Sequence, residues 1–251
     1  MAKFVDIHAH ILKQYYGEVL EDVITRAKDT IIIINSVDIA TSIEAIKIAK
    51  THENIYASIG VHPSEVEKTA QSDLKILEEL VESEKVIAIG ETGLDLYWRK
   101  DNLEKQLMFF NFHINLSRKT GKPLIIHSRS AEKEVYDNLK DKEANFIMHC
   151  YSGEEHLLRK FLKLGGYFSF GGVISFKKAH NARKLVDLVP LDRILTETDS
   201  PYLSPEPVRG KKNEPFNIRY IVDIISKIKG VESEKTKNII YSNLLFKFDL
   251  K

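Results

Sequence analysis

A chain of 251 residues with 43% hydrophobic side chains can bury one large α/β core or two ordinary ones. Its 37 basic and 36 acidic residues leave a net charge of +1, which excludes a global field that recruits a polyanion, so any nucleic-acid contact must come from local basic groups. The single cysteine, Cys150, excludes an internal disulfide framework. There is no charged-then-apolar leader pattern and no apolar run near the roughly 18 residues of a bilayer span, so the expected compartment is the cytoplasm, with no membrane partner.

Short apolar runs rich in Val, Ile and Phe recur along the chain: KFVDI from 3, TIIIIN from 30, IYASIGV from 55, KVIAIGE from 85, PLIIH from 123, NFIMH from 145, GYFSFG from 166 and RILTET from 193. Short, nearly continuous apolar runs suit strands buried on both faces, as in a parallel sheet. Between them lie stretches of helical period, among them VLEDVITRAK from 19, SIEAIKIAK from 42, DLKILEELVES from 73, LEKQLMFFNFHINLSRK from 103, EEHLLRKFLKLG from 154 and ARKLVDLV from 182. FNIRYIVDIISKIKG from 216 and SEKTKNIIYSNLLFKF from 233 extend the helical set. Strand then helix, at a spacing of roughly 27 residues, predicts an α/β TIM (β/α)8 barrel. A doubly wound open sheet is the alternative that periodicity leaves open. No Pro/Gly/Ser-rich linker or low-complexity tract divides the chain, so residues 1–251 read as a single domain.

The ionisable residues follow those runs. His8 and His10, two positions apart in an extended chain, share one face, while Ala9 takes the other. Alone, such a pair is as well explained by two half-exposed imidazoles as by a metal. However, His62 follows the third run, Glu91 the fourth, His127 the fifth, His149 the sixth and Asp199 the eighth. In a barrel the C-terminal ends of parallel strands converge on one mouth, where active sites of this fold are built. Singly, His127 has a role as a helix cap and Asp199 as an N-cap before Ser200 and Pro201. Chance structural placement would scatter all seven between both strand ends and the helices. Mixed imidazoles and carboxylates suit Zn²⁺, Mn²⁺, Ni²⁺ or Fe²⁺, whereas an all-oxygen set would suit Mg²⁺. Four histidines and two carboxylates suffice for two ions if one carboxylate bridges, and hydrolysis is the natural chemistry of such a pair.

Seven blocks also resemble, in order, the signature blocks of the TatD-type metal-dependent deoxyribonucleases of the amidohydrolase superfamily. They are DIHAH from 6, IGVHPSE from 59, AIGETGLDLYW from 88, IIHSR from 125, MHCYSG from 148, FSFGGVISFKKA from 168 and RILTETDSPYLSPEPVRGKKNEPFNI from 193. The resemblance implies a TIM barrel with a binuclear centre that hydrolyses phosphodiester bonds of DNA, with 3′ to 5′ exonuclease action. It implies two divalent ions per chain, Zn, Mn, Ni or Mg. His8 and His10 with help from Asp199 would hold one, His127 and His149 the other, and Glu91 would bridge. His62 matches a substrate-facing histidine that contacts the scissile phosphate. Two positions depart from the family pattern: Ser130 in HSRSA stands where Asp is common, which bears on how Arg129 is held, and His113 stands where Gln is frequent.

The expected mechanism has a metal-bound water, oriented by Asp199, attacking phosphorus, with Glu91 and His62 as its catalytic companions. Asp199 serves as general base or as ligand and orienter, and both roles stay open. Arg129 and Arg209 are the expected substrate-backbone contacts, with Lys177, Lys178, Lys211 and Lys212 as further basic groups. Tyr97, with Trp98, is an expected stacking surface for a base at a single-stranded or frayed end. DNA is therefore the expected partner, and no obligatory protein partner is evident. A competing enzymatic reading is an ester or amide hydrolase, including a D-aminoacyl-tRNA deacylase; a third is a binding module with structural ions. Cys150, one position from His149, is expected on the opposite face of its strand and in the core.

Overall fold

A computed structural model of the chain describes residues 3–250. All eight apolar runs are strands: β1 (Phe4–Ala9), β2 (Thr30–Asn35), β3 (Ile55–Ile59), β4 (Val86–Asp95), β5 (Leu124–Arg129), β6 (Phe146–Met148), β7 (Tyr167–Phe170) and β8 (Ile194–Thr196). They form one eight-stranded sheet in the order β1 to β8, with parallel registers. The helices are α1 (Lys13–Tyr16), α2 (Leu20–Arg26), α3 (Ile39–Thr51), α4 (Leu74–Leu80), α5 (Leu103–Thr120), α6 (Glu132–Leu139), α7 (Glu155–Lys163), α8 (His180–Leu188), α9 (Ile218–Lys229) and α10 (Ser233–Lys247). This is the (β/α)8 TIM barrel fold. Helix α6, absent from the expected helical stretches, is short and buries only Val135 and Leu139 of its eight residues. No helix among the described residues is long and apolar enough to cross a membrane.

The chain divides into two compact units. One comprises the chain up to Ile34, Cys150–Ser152 and the chain from Phe168 onward; the other comprises Asn35–His149 and Gly153–Tyr167. In the first unit Phe4, Val5 and Asp6 pair with Thr30, Ile31 and Ile32, and a register shift then brings Ala9 opposite Ile34. Every residue of β2 is buried, as an unbroken TIIIIN run requires. Ala9 also forms a parallel bridge to Ser200, so the end of β1 lies beside the chain that continues from β8. The apolar stripe Ile218, Ile221, Val222 and Ile225 buries one face of α9.

In the second unit β4 is the longest strand, ten residues buried throughout. Its register with β5 shifts between Ile89 and Thr92, after which Gly93 lies opposite His127 and Asp95 opposite Arg129. Gly93 has φ +136, and a Cβ there would sit 2.0 Å from the carbonyl oxygen of His127. A side chain at 93 would push the two strands apart where they carry their functional residues. Helix α3 starts at a capping box in which Asp38 accepts from the Thr41 amide at 2.8 Å and the Thr41 hydroxyl meets the Asp38 amide at 3.0 Å.

Candidate functional site

The second unit gathers Glu91, His127, His149 and His62. Glu91 is the sixth residue of β4 rather than its last, because pairing with β5 resumes at Thr92 and carries the strand four residues further. Its side chain is buried. Three imidazole nitrogens face one of its oxygens, Oε1: His127 Nδ1 at 2.9 Å, His149 Nε2 at 3.3 Å and His62 Nε2 at 3.6 Å. Donor atoms of His62, Glu91 and His127 all lie within 4.8 Å of one another.

Asp95 completes this group, and it did not stand out in the sequence. Its Oδ2 lies 3.1 Å from His127 Nε2, so His127 is held between two carboxylates. Burial disfavours the His127 cation, but its hydrogen bonds to Asp95 and Glu91 outweigh that and raise its pKa. Burial opposes ionisation of Asp95 too, yet its His127 partner leaves its pKa below the usual carboxylate range. The sequence signal was there: Glu91, Gly93 and Asp95 alternate onto one face once the strand is allowed to run to 95. Asp95 Oδ1 also accepts the backbone amides of Tyr97 at 3.0 Å and Trp98 at 3.3 Å. That tether places two exposed rings beside Arg129, whose guanidinium lies 4.0 Å over Tyr97 and 5.4 Å over Trp98.

His62 caps a short 3-10 turn. Its Nδ1 accepts the Ser64 amide at 3.1 Å, which leaves the proton of the neutral ring on Nε2. Nε2–H lies on the side of Glu91, 3.6 Å from Oε1. His113 supports the same loop: its Nε2 accepts the Val61 amide at 3.1 Å and its Nδ1 donates to the Phe109 carbonyl at 2.7 Å. The ring is fully buried, and burial pulls its pKa down to about 4. The ring thereby steadies Val61, the residue next to His62.

The first unit gathers His8, His10 and Asp199. His8 and His10 meet through their Nε2 atoms at 3.2 Å, and Asp199 Oδ1 lies 3.8 and 3.5 Å from those nitrogens. Backbone bonds set this geometry. The Asp199 amide donates to the His8 carbonyl at 2.8 Å and the His10 amide to the Ser200 carbonyl at 2.7 Å. Asp199 itself adopts the left-handed conformation, φ 53. Behind it, buried Asp6 accepts from the Thr198 amide at 2.8 Å and the Thr198 hydroxyl at 2.6 Å, and the Thr198 oxygen accepts the Ser200 amide at 3.2 Å. Burial pushes the Asp6 carboxyl up to about 8, against the hydrogen bonds from Thr198 and His8 that favour its charged form.

Both groups fit divalent cations. Two Nε2 atoms 3.2 Å apart match the separation of about 3.3 Å expected of adjacent nitrogens on a tetrahedral ion with bonds near 2.0–2.1 Å. With Asp95 accepting from Nε2 of His127, Nδ1 faces an oxygen of Glu91 at 2.9 Å, a nitrogen–oxygen pair that a ring proton satisfies and that a divalent cation could occupy in its place.

The remaining expected contacts are placed as follows. Arg129 and Arg209 are exposed, and neither is ion-paired among the described residues. Arg209 lies 3.6 Å over the Phe176 ring, on a shelf it shares with Lys177 and Lys178. Lys211 is exposed, whereas Lys212 is tied to the Tyr15 carbonyl at 2.7 Å. Cys150 is half-buried with φ 44, not a core residue. Strand β6 ends at Met148, so strand alternation does not extend to His149 and Cys150.

Fold and clusters together point to the class of metal-dependent barrel hydrolases. The family model for TatD related DNase matches residues 5–248, and the chain belongs to this family. It is 38% identical over 245 residues to YabD of Bacillus subtilis, an uncharacterized metal-dependent hydrolase, covering 95% of this chain and 96% of that one. It is 36% identical over 248 residues to the similarly described MJ1582 of Methanocaldococcus jannaschii, covering 96% and 95%. A TatD family hydrolase from Entamoeba histolytica superposes over 100% of both chains with a TM-score of 0.86 at 26% identity. For YjjV, a TatD homolog of Escherichia coli, the TM-score is 0.91 at 24% identity over 99% of this chain and 98% of that chain, a likeness of fold.

Proposed function

We propose that the chain is a cytoplasmic deoxyribonuclease that hydrolyses phosphodiester bonds at the 3′ end of single-stranded or frayed DNA. The observation that carries this is Asp95. One carboxylate holds His127 through Oδ2 and, through Oδ1, the loop whose exposed Tyr97 and Trp98 rings flank the exposed guanidinium of Arg129. An imidazole–carboxylate cluster wired to an aromatic and arginine surface suits a substrate that offers both phosphate and base.

His8, His10 and Asp199 would hold one divalent ion and Glu91, His127 and His149 another, of Zn, Mn, Ni or Mg. Bound there, such ions supply a water of lowered pKa and neutralise charge on phosphoryl oxygens. The protein's own groups do the rest. His62 directs its Nε2 proton to a phosphoryl oxygen, its ring orientation fixed by the Ser64 amide on Nδ1. Asp199 Oδ1, held by the backbone on either side, accepts the proton of the attacking water. Arg129 grips a non-bridging oxygen pair in its planar fork, and Arg209 adds charge along the strand.

The test incubates purified protein with end-labelled single-stranded DNA and with D-aminoacyl-tRNA, each with and without Mn²⁺ or Mg²⁺. Metal-dependent release of nucleotides from the 3′ end is the expected result. Release of the D-amino acid with intact DNA would replace the proposal with a deacylase. Bound ions with neither activity would replace it with a structural-metal module.

A further inference from the structure

We propose that Tyr202, backed by Tyr15, is a stacking platform for the terminal nucleobase of the substrate, a subsite beside His10. The inference rests on the nuclease reading and specifies which part of the nucleotide that cluster's surroundings recognise.

Tyr202 combines an exposed ring with an immobilised backbone. Its side chain is 50% exposed, three residues beyond Asp199. Its amide donates to the Asp199 carbonyl at 2.8 Å and its carbonyl accepts from Asn213 Nδ2 at 2.8 Å. Asn213 is buried and makes a second such bond to the Thr198 carbonyl at 2.9 Å, so the backbone carrying the ring is pinned to the residues that place Asp199. The ring is braced as well. Tyr15 meets it at a centroid distance of 6.0 Å and 75°, and His10 at 6.2 Å and 67°. Tyr15 also reaches His10, at 6.3 Å, and its carbonyl is held by Lys212.

A neighbouring tyrosine shows what a purely structural ring looks like here. Tyr16 is 4% exposed and donates its hydroxyl to the Asn213 carbonyl at 2.5 Å. Tyr202 does neither; its ring is braced by two T-shaped contacts while half of its surface is open to solvent, room for a planar partner to stack. A nucleotide's base and phosphate are one sugar apart, a span comparable with the 6.2 Å between the Tyr202 and His10 rings. With its phosphate at the His10 and Asp199 cluster, the base reaches Tyr202. Every base has a π-face, so this contact tolerates any sequence.

The test compares hydrolysis of two oligonucleotides by the metal-loaded full chain. One ends in a normal 3′ nucleotide, the other in an abasic tetrahydrofuran residue. Wild type is expected to show a KM lower by about tenfold for the base-bearing end, the size of one lost base–aromatic stack. Tyr202→Ala is expected to remove that preference and Tyr202→Phe to keep it, with bound metal measured in each. No preference in wild type, or a preference that survives Tyr202→Ala, overturns the subsite. Cleavage of neither end sinks the nuclease reading instead. Binding of deoxyadenosine monophosphate against deoxyribose 5-phosphate, to wild type and Tyr202→Ala, then decides the subsite by itself.

Discussion

The two imidazole–carboxylate clusters are braced by different means. Around Glu91 the bracing runs from side chain to side chain: one carboxylate oxygen faces three imidazoles, and Asp95 holds the far nitrogen of His127. Around His8 and His10 it runs through the backbone. Strand period aligns the two rings, and main-chain hydrogen bonds fix Asp199 and Ser200 against β1. A cluster held by charge should loosen when a single carboxylate loses its charge. A cluster held by backbone should tolerate such edits and respond to whatever disturbs its loop.

The largest effect is expected at Glu91. Glu91→Gln preserves shape and removes the charge that three imidazoles face. Metal-dependent hydrolysis should fall by about a thousandfold or more, and metal analysis should find less than the wild-type content. Full metal with near-normal turnover would remove Glu91 from the centre. Asp95→Asn tests the bracing more finely. Loss of a carboxylate behind a ligating histidine typically costs roughly 10- to 100-fold in metal affinity, here expected only for the ion at His127. Trp98, the chain's one tryptophan, should report the same change by fluorescence, because its amide loses a charged acceptor. Equal weakening of both ions would erase the distinction between the clusters.

What could be read in the sequence follows the same divide. The eight strands were visible because parallel strands covered on both faces are continuous apolar runs, and His8 with His10 because a two-residue period is local. Bracing partners were not, because they meet through tertiary structure. Asp6 stands in the DIHAH motif itself, yet its partner Thr198 is 192 residues away. His113 lies 52 residues from Val61, and nothing in the α5 pattern separates a buried hydrogen-bonding imidazole from a packing one. Asp95 was obscured because the apolar run ends at Glu91 while β4 continues to Asp95, which leaves this strand-face carboxylate beyond the pattern that marks the strand.

His113 gives a pH signature confined to the loop that carries His62. Its folded pKa of about 4 lies below the ordinary value of about 6.5, so the unfolded chain binds the extra proton first as pH falls. The stability it contributes is therefore complete above about pH 6.5 and is lost towards pH 4. Between pH 7 and 5 the loss should be about 2 kcal/mol. Urea unfolding of wild type and His113→Gln at both pH values isolates the effect, since other groups titrate alike in the two proteins. Parallel losses would show that the ring is not held neutral.

The smallest change probes the backbone-held cluster through Thr198. Thr198→Val keeps the shape but deletes the hydroxyl that donates to Asp6 Oδ2 and accepts the Ser200 amide, while the Thr198 amide still reaches Asp6 Oδ1. Two buried polar groups lose a partner, which should cost about 1–2 kcal/mol and lower Tm by a few degrees. The main-chain bonds from Asp199 to His8 and from His10 to Ser200 remain, so metal affinity at His8 and His10 should fall less than Asp95→Asn lowers it at His127. Competition with a metal chelator, run on both variants side by side, compares the two losses directly. If Thr198→Val released its ion the more readily, the first cluster too would depend on a buried side-chain brace, with Asp6 in the place that Asp95 holds in the second.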